Sequence, residues 1–155
     1  MGIQIGQLLV EQGVLSEKQV EHILNVQRRT RRPFGDLAER LYDIAPKAIE
    51  DAWVEQYVRT VGVVDLDTVQ FDANCLRQIN RRQAWQFQVL PANRDHMGLN
   101  AATDAEHLVR AANFASRRIN EPVTLLVAPS DQLREFLMKH YPVPEYMADY
   151  ASTLG

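Results

Sequence analysis

The chain has 155 residues and a formal net charge of −3, the length of one domain or two small ones. An acidic balance of this kind excludes a general binder of nucleic acid polymers, which would be basic overall. The single Cys75 excludes an internal disulfide and a cysteine zinc site, and the longest apolar runs, such as Val123 to Ala128, are strand-sized, so no direct membrane insertion is expected. The N-terminus lacks the basic, apolar and small-residue order of a signal peptide, and a cytoplasmic location is expected.

Along the chain, Ile5, Leu8, Leu9 and Val10 recur at helical spacing, and Gly13 suits a C-terminal stop. Ser16 reads as an N-cap, with Gln19 three residues on completing a capping box. The helix it opens carries Val20, Ile23, Leu24 and Gln27 on one face. Arg28-Arg29-Thr30-Arg31-Arg32 crowds its end, where positive charge suits the helix dipole. A second helical pair starts at Pro33, runs through Leu37, Ala38 and Leu41, and breaks near Tyr42-Asp43. It restarts at Pro46 with Ile49, Ala52, Trp53 and Tyr57 on one face. Residues 1–60 therefore predict a bundle of about four short helices in two hairpins.

From Thr60 the pattern changes. Val61, Val63, Val64 and Leu66 predict a short strand or extended crossing, and Asp72 to Phe87 one or two short helices. Phe87 to Leu90 predicts a strand ended by Pro91, Asn93 to His96 a turn, and Met97 to Ala102 a partner strand. Asp104 to Ile119 is amphipathic through Leu108, Ala111, Ala112 and Ala115. Val123 to Val127 predicts a strand, and Ser130 the cap of a helix bearing Leu133, Phe136, Leu137 and Tyr141. The expected class is α+β, with a three- to four-stranded sheet and packed helices in an α/β subdomain over 61–141. A Pro/aromatic tail over 142–155 carries Tyr146, Met147 and Tyr150 at helical spacing, and predicts a short helix that folds back or meets a partner.

The helical half repeats itself. Displaced by 29 residues, Gln4–Gln27 lies over Pro33–Gln56: Gly6 falls on Gly35, Leu15 on Ile44, Val20 on Ile49, Leu24 on Trp53 and Gln27 on Gln56. Neither copy can bury its apolar face alone, so the two must pack together. Core packing accounts for Leu8, Leu9, Val20, Ile23, Leu24, Ile49 and Trp53. Gln27 and Gln56 are more informative, because a polar residue recurs on an apolar face.

With its five-residue spacer Arg28–Arg32, this doubled pattern resembles the N-terminal domain of type II secretion and type IV pilus assembly ATPases, in the subgroup called MshEN. That family's motif runs Arg-Leu-Gly, two apolar residues, Gly, two apolar residues, Leu, Ala-Leu and Gln. The first copy matches as Gln4-Ile5-Gly6, Leu9-Val10, Gly13, Val14-Leu15, Val20, Ile23-Leu24 and Gln27; the second as Pro33-Phe34-Gly35, Ala38, Ile44, Ile49, Ala52-Trp53 and Gln56. Val89-Leu90-Pro91, Leu99 to Asp104 and Val123 to Tyr141 follow in the family's order, so the likeness covers about residues 3–141.

The resemblance implies a non-catalytic regulatory or adaptor domain that docks to a protein partner in a secretion or pilus-type assembly, or to a separate ATPase chain. Its alternative is a cyclic di-GMP sensor, each copy holding half of the two-fold dinucleotide. The implied ligand residues are Gln4, Ile5, Gly6, Leu9, Val10, Gly13, Val14, Leu15, Gln27, Arg32, Phe34, Gly35 and Gln56. No cofactor is implied beyond that ligand. The sequence departs from the motif at Gln4 and Pro33, where the family has Arg, and at Tyr42, where it has Gly. Losing a bidentate Arg is not conservative, and the spacer arginines are the nearest replacement charge in sequence.

No catalytic constellation is expected. Gly-x-x-x-x-Gly-Lys-Ser/Thr is absent, so this sequence holds no P-loop for ATP hydrolysis. His22, His96, His107 and His140 lack metal-ligand spacing, and Cys75 reads as a small buried apolar residue. Asp65, Asp67 and Asp72 suit turns and caps better than a cation site.

Overall fold

The computed structural model describes residues 4–153, which form two compact units that divide between Thr60 and Val61. The fold is α+β: among the described residues, helices and a three-stranded mixed sheet.

In the first unit the helices are α1 (Ile5–Glu11), α2 (Glu17–Thr30), α3 (Phe34–Tyr42) and α4 (Pro46–Val61). Gly13, at φ 73°, takes the left-handed conformation that follows α1. The capping box at α2 is complete: the Gln19 N–H donates to Ser16 Oγ at 3.1 Å, and the Ser16 N–H to Gln19 Oε1 at 2.8 Å. Main-chain bonds repeat with the sequence. Leu15 N–H donates to Leu9 O at 3.2 Å, and its counterpart Ile44 N–H approaches Ala38 O at 3.5 Å. Where the first copy has Gly13, Tyr42 stays helical. The left-handed residue moves to Asp43 (φ 53°), and α3 runs two residues further than the counterpart of α1. Leu8, Leu9, Leu15, Ile23, Leu37, Ala38 and Ala52 form the buried core. Each fully buried leucine contributes about 1.5–3 kcal/mol. Leu24 and Trp53, expected inward, are both 38% exposed, and Trp53 stacks on Tyr57 with ring centroids 5.9 Å apart.

The second unit opens with an extended crossing. Val63 makes a single parallel bridge to Val127, and the Val64 N–H donates to Val127 O at 2.8 Å; this is not a full strand. A 3₁₀ turn (Leu66–Thr68) follows. It is held by Gln132, whose Oε1 accepts from Leu66 N–H at 2.8 Å and whose Nε2 donates to Asp65 at 2.7 Å. Then come α5 (Ala73–Leu76), α6 (Arg81–Phe87), β1 (Leu90–Asp95), β2 (Gly98–Thr103), α7 (Leu108–Arg118), β3 (Val123–Val127), α8 (Ser130–His140) and α9 (Glu145–Thr153).

The sheet order is β1-β2-β3, antiparallel between the first two and parallel between the last two, with α7 as the crossover. Four boundaries differ from expectation. The strand predicted at Phe87–Leu90 begins only at Leu90, because Phe87 ends α6 and Gln88 (φ 52°) makes the left-handed exit. Pro91 does not end β1: on an edge strand its missing N–H breaks no inner ladder, and the register shifts between Pro91 and Asn93. The turn therefore falls at Asp95–Gly98 rather than within Asn93 to His96. The helix predicted from Asp104 starts at Leu108, since the Asp104 carboxylate takes the His107 N–H at 2.8 Å.

The tail carries the short helix expected there, and that helix folds back on its own unit. There α9 packs on α6 with Ala148 fully buried. Arg134 on α8 holds Glu145 at 3.1 Å and Asp149 at 2.8 Å. Trp85 Nε1 donates to the Tyr141 carbonyl at 2.7 Å, and burial pushes the Tyr141 phenol up to about 12. Among the described residues, no helix is long and apolar enough to cross a membrane.

Candidate functional site

The first unit contains a cavity of about 710 Å³, within the size range of small-molecule sites. One wall is α1 with its preceding residue: Gln4, Ile5, Gly6, Gln7 and Val10. The other is a single stripe of α2, Glu17, Val20, Leu24 and Gln27, spaced so that all four share one helical face. Phe34 and Gln56 close it from the second copy; they are the repeat counterparts of Ile5 and Gln27.

Gly6 matters by its size. A Cβ there would lie 3.0 Å from Val20 Cγ1 and 3.3 Å from Phe34 Cζ, so the absent side chain lets α1 approach both. The side-chain amide of Gln27 donates to the Arg32 carbonyl at 3.1 Å. Gln56 is half-buried, and its side-chain amide has no hydrogen-bond partner among the described residues.

Of the residues implied by the family resemblance, Gln4, Ile5, Gly6, Val10, Gln27, Phe34 and Gln56 line this cavity. The others lie elsewhere. Leu9 and Leu15 are core, Val14 packs against that core, and Gly13 supplies the left-handed turn. Gly35 is pressed against Ile49, where a Cβ would stand 2.7 Å from Cγ2. Arg32 is exposed and bonds Asp36 at 3.5 Å, and its carbonyl, not its guanidinium, meets Gln27. The lining also includes Gln7, Glu17, Val20 and Leu24, which the motif did not single out as ligand residues. For the three on α2 the signal was present, since Glu17, Val20, Leu24 and Gln27 follow helical spacing.

Other constellations are structural. Asp104, Glu106 and His107 bring three candidate metal-ligand atoms within 4.8 Å of one another. However, Asp104 Oδ1 already accepts the His107 N–H at 2.8 Å and pairs with His107 Nδ1 at 2.7 Å, closing the turn before α7. Burial acts to raise the Asp104 pKa, but the hydrogen bonds and charge of His107, with the Ser130 hydroxyl, outweigh it and hold the carboxyl below its ordinary value. Ser130 was expected to cap α8; it is that helix's first residue, after Pro129, and its hydroxyl serves Asp104 instead. Burial pushes the Cys75 thiol up, the reverse of what a nucleophile needs. A second cavity, of about 310 Å³ between α7 and β3, has walls mainly of alanine and branched aliphatic residues.

A family model described as the MshEN domain matches residues 59–146, more than half of the chain. The match falls on the α/β unit rather than on the doubled helical pattern. No curated protein matches the chain. Among solved structures the chain is similar in fold to that of MshE with cdg, at 24% identity and a TM-score of 0.50, covering 90% of this chain and 99% of that one.

Proposed function

The chain belongs to the MshEN domain family, and from that premise we propose that it is a non-catalytic regulatory domain whose helical unit binds cyclic di-GMP. The observation that carries this reading is the 710 Å³ cavity, set on the doubled motif and edged by its two terminal glutamines. Its apolar walls, Ile5, Val10, Val20, Leu24 and Phe34, suit the faces of a purine. Its amides suit the base edges, which both donate and accept. The solved MshE structure with cdg, an abbreviation we take as cyclic di-GMP, supports the choice of ligand.

Titration calorimetry of the purified chain with cyclic di-GMP tests the reading. Heat and a rise in melting temperature are expected, because a ligand that binds only the folded state stabilises it. Leu24→Asp places a carboxylate on a cavity wall that is partly open to solvent, so the fold should stand while binding falls at least about tenfold. Absence of heat at high micromolar nucleotide overturns the reading.

A second reading, docking to a secretion or pilus-type assembly or to a separate ATPase chain, draws on α9. That helix buries Ala148 against its own unit and leaves Tyr146 74% and Met147 48% exposed. Aromatic and methionine side chains on an outer helical face are typical of protein interfaces. Tyr146→Ala with Met147→Ser should abolish co-purification of an ATPase partner without lowering the melting temperature. Unchanged co-purification would remove α9 from the interface.

A further inference from the structure

The polar groups of the cavity are the amides of Gln4, Gln7, Gln27 and Gln56 and the carboxylate of Glu17. Among the described residues, no lysine, arginine or histidine lines it. Two of the four spacer arginines have other partners: Arg28 donates to Asn25 Oδ1 at 3.0 Å, and Arg32 bonds Asp36 at 3.5 Å. The second copy contributes Phe34 and Gln56 to the lining, neither of them a cation, and the counterparts of Gln7 and Val10 are Asp36 and Glu39. Hydrogen bonds from Arg40 and Arg32 hold the Asp36 carboxyl below its ordinary value, which keeps that charge negative. A phosphodiester entering this cavity finds, among the described residues, amides and a carboxylate but no cation to pair with.

A guanine base finds matched partners there. A carboxylate accepts two adjacent N–H donors, and guanine offers such a pair at N1–H and N2–H₂. Adenine offers an N6–H₂ donor beside an unprotonated N1, whose lone pair a carboxylate repels. Amide N–H₂ groups donate to the guanine acceptors O6 and N7. Glu17 stands in the first turn of α2. Glu17 and Gln27 stand at opposite ends of the α2 stripe, about 15 Å of helix apart, so one acceptor and one amide serve different parts of a ligand.

Resting on the reading of this cavity as a nucleotide site, we propose that it selects guanine through Glu17 and leaves the ligand's phosphates without a charged partner. The site is then a base reader whose affinity barely depends on salt.

The test is calorimetry on the full chain with cyclic di-GMP and cyclic di-AMP at low and high ionic strength. Cyclic di-GMP should bind at least about tenfold more tightly than cyclic di-AMP, the discrimination expected of one bidentate pair. Raising salt from about 50 to about 500 mM should change its Kd less than about threefold, since no exposed ion pair is there to be screened. Glu17→Gln should erase most of the preference for guanine, while the melting temperature holds because Glu17 is exposed. Equal binding of the two dinucleotides, or a preference that survives Glu17→Gln, overturns guanine selection through Glu17, and a Kd that rises more than about threefold with salt overturns the uncharged phosphate site; each leaves a cyclic dinucleotide site. Failure of both dinucleotides to bind overturns it together with the nucleotide reading.

Discussion

The amide of Gln27 donates to the main-chain carbonyl of Arg32 at 3.1 Å, across the left-handed turn at Arg31 (φ 58°). One bond therefore ties the last turn of α2 to the spacer and fixes Gln27 at the cavity edge. It also accounts for Gln27 at the end of a largely apolar stripe, where an aliphatic residue would leave that carbonyl without its amide donor. Gln27→Ala should cost about 0.5–1 kcal/mol in urea unfolding, because water can replace an exposed bond. Cyclic di-GMP binding should fall about tenfold in the same variant, by loss of one hydrogen-bonding amide. A stability loss above about 3 kcal/mol would make the residue chiefly structural.

Gly35 and Ile49 set a tighter limit than Gly6. A Cβ on Gly35 would come 2.7 Å from Ile49 Cγ2. Gly35→Ala should destabilise the helical unit by about 1–3 kcal/mol through overpacking, despite alanine's better helix propensity. Adding Ile49→Ala should recover part of that loss, a coupling that a double-mutant cycle would measure. Additive effects would mean that the contact is not the cause.

Gly13 and Gly98 both sit at positive φ, 73° and 123°, but for different physical reasons. Nothing lies within 4 Å of a Cβ on Gly13, whereas one on Gly98 would be 2.3 Å from the Pro122 carbonyl oxygen. Gly13→Ala should cost only the left-handed penalty, about 1 kcal/mol. Gly98→Ala should cost about 3 kcal/mol or more, since the β2–β3 junction must move as well. Thermal melts followed by circular dichroism would rank the two, and equal costs would refute the distinction.

Asp104 makes stability depend on acid. Its folded pKa lies below the unfolded value, so its contribution is fully present above the unfolded pKa of about 3.9 and is lost as pH falls through the folded value. Asp104→Asn keeps an acceptor and loses the charge. It should cost about 1–2 kcal/mol at neutral pH, with the gap from wild type closing as pH falls through the folded value. Urea midpoints measured across that range would show it; two parallel profiles would assign the acid limb to other carboxylates.

Much of the helical unit was legible in the sequence, because its signals are local. The capping box at Ser16 and Gln19 depends only on neighbouring backbone, as does the stop at Gly13. The second unit was harder. Phe87 to Leu90 carries strand-forming side chains, yet Phe87 and Gln88 belong to the end of α6, and Pro91 sits inside β1 because that strand lies at the sheet edge. Edge position is a property of the assembled sheet, and no local pattern encodes it.

The sequence by itself determined the repeat, its helices and the pairing of Gln27 with Gln56, since helical period and offset are written in residue order. Only the tertiary structure decided what the repeat positions do. It sent Leu9 and Leu15 into the core and set Leu24 on a cavity wall. It spent the guanidinium of Arg32 on Asp36 and brought Glu17 to the cavity instead. The reason is geometric: a helix fixes which residues share a face, but the packing of one helix on another decides whether that face meets a core, a cavity or water.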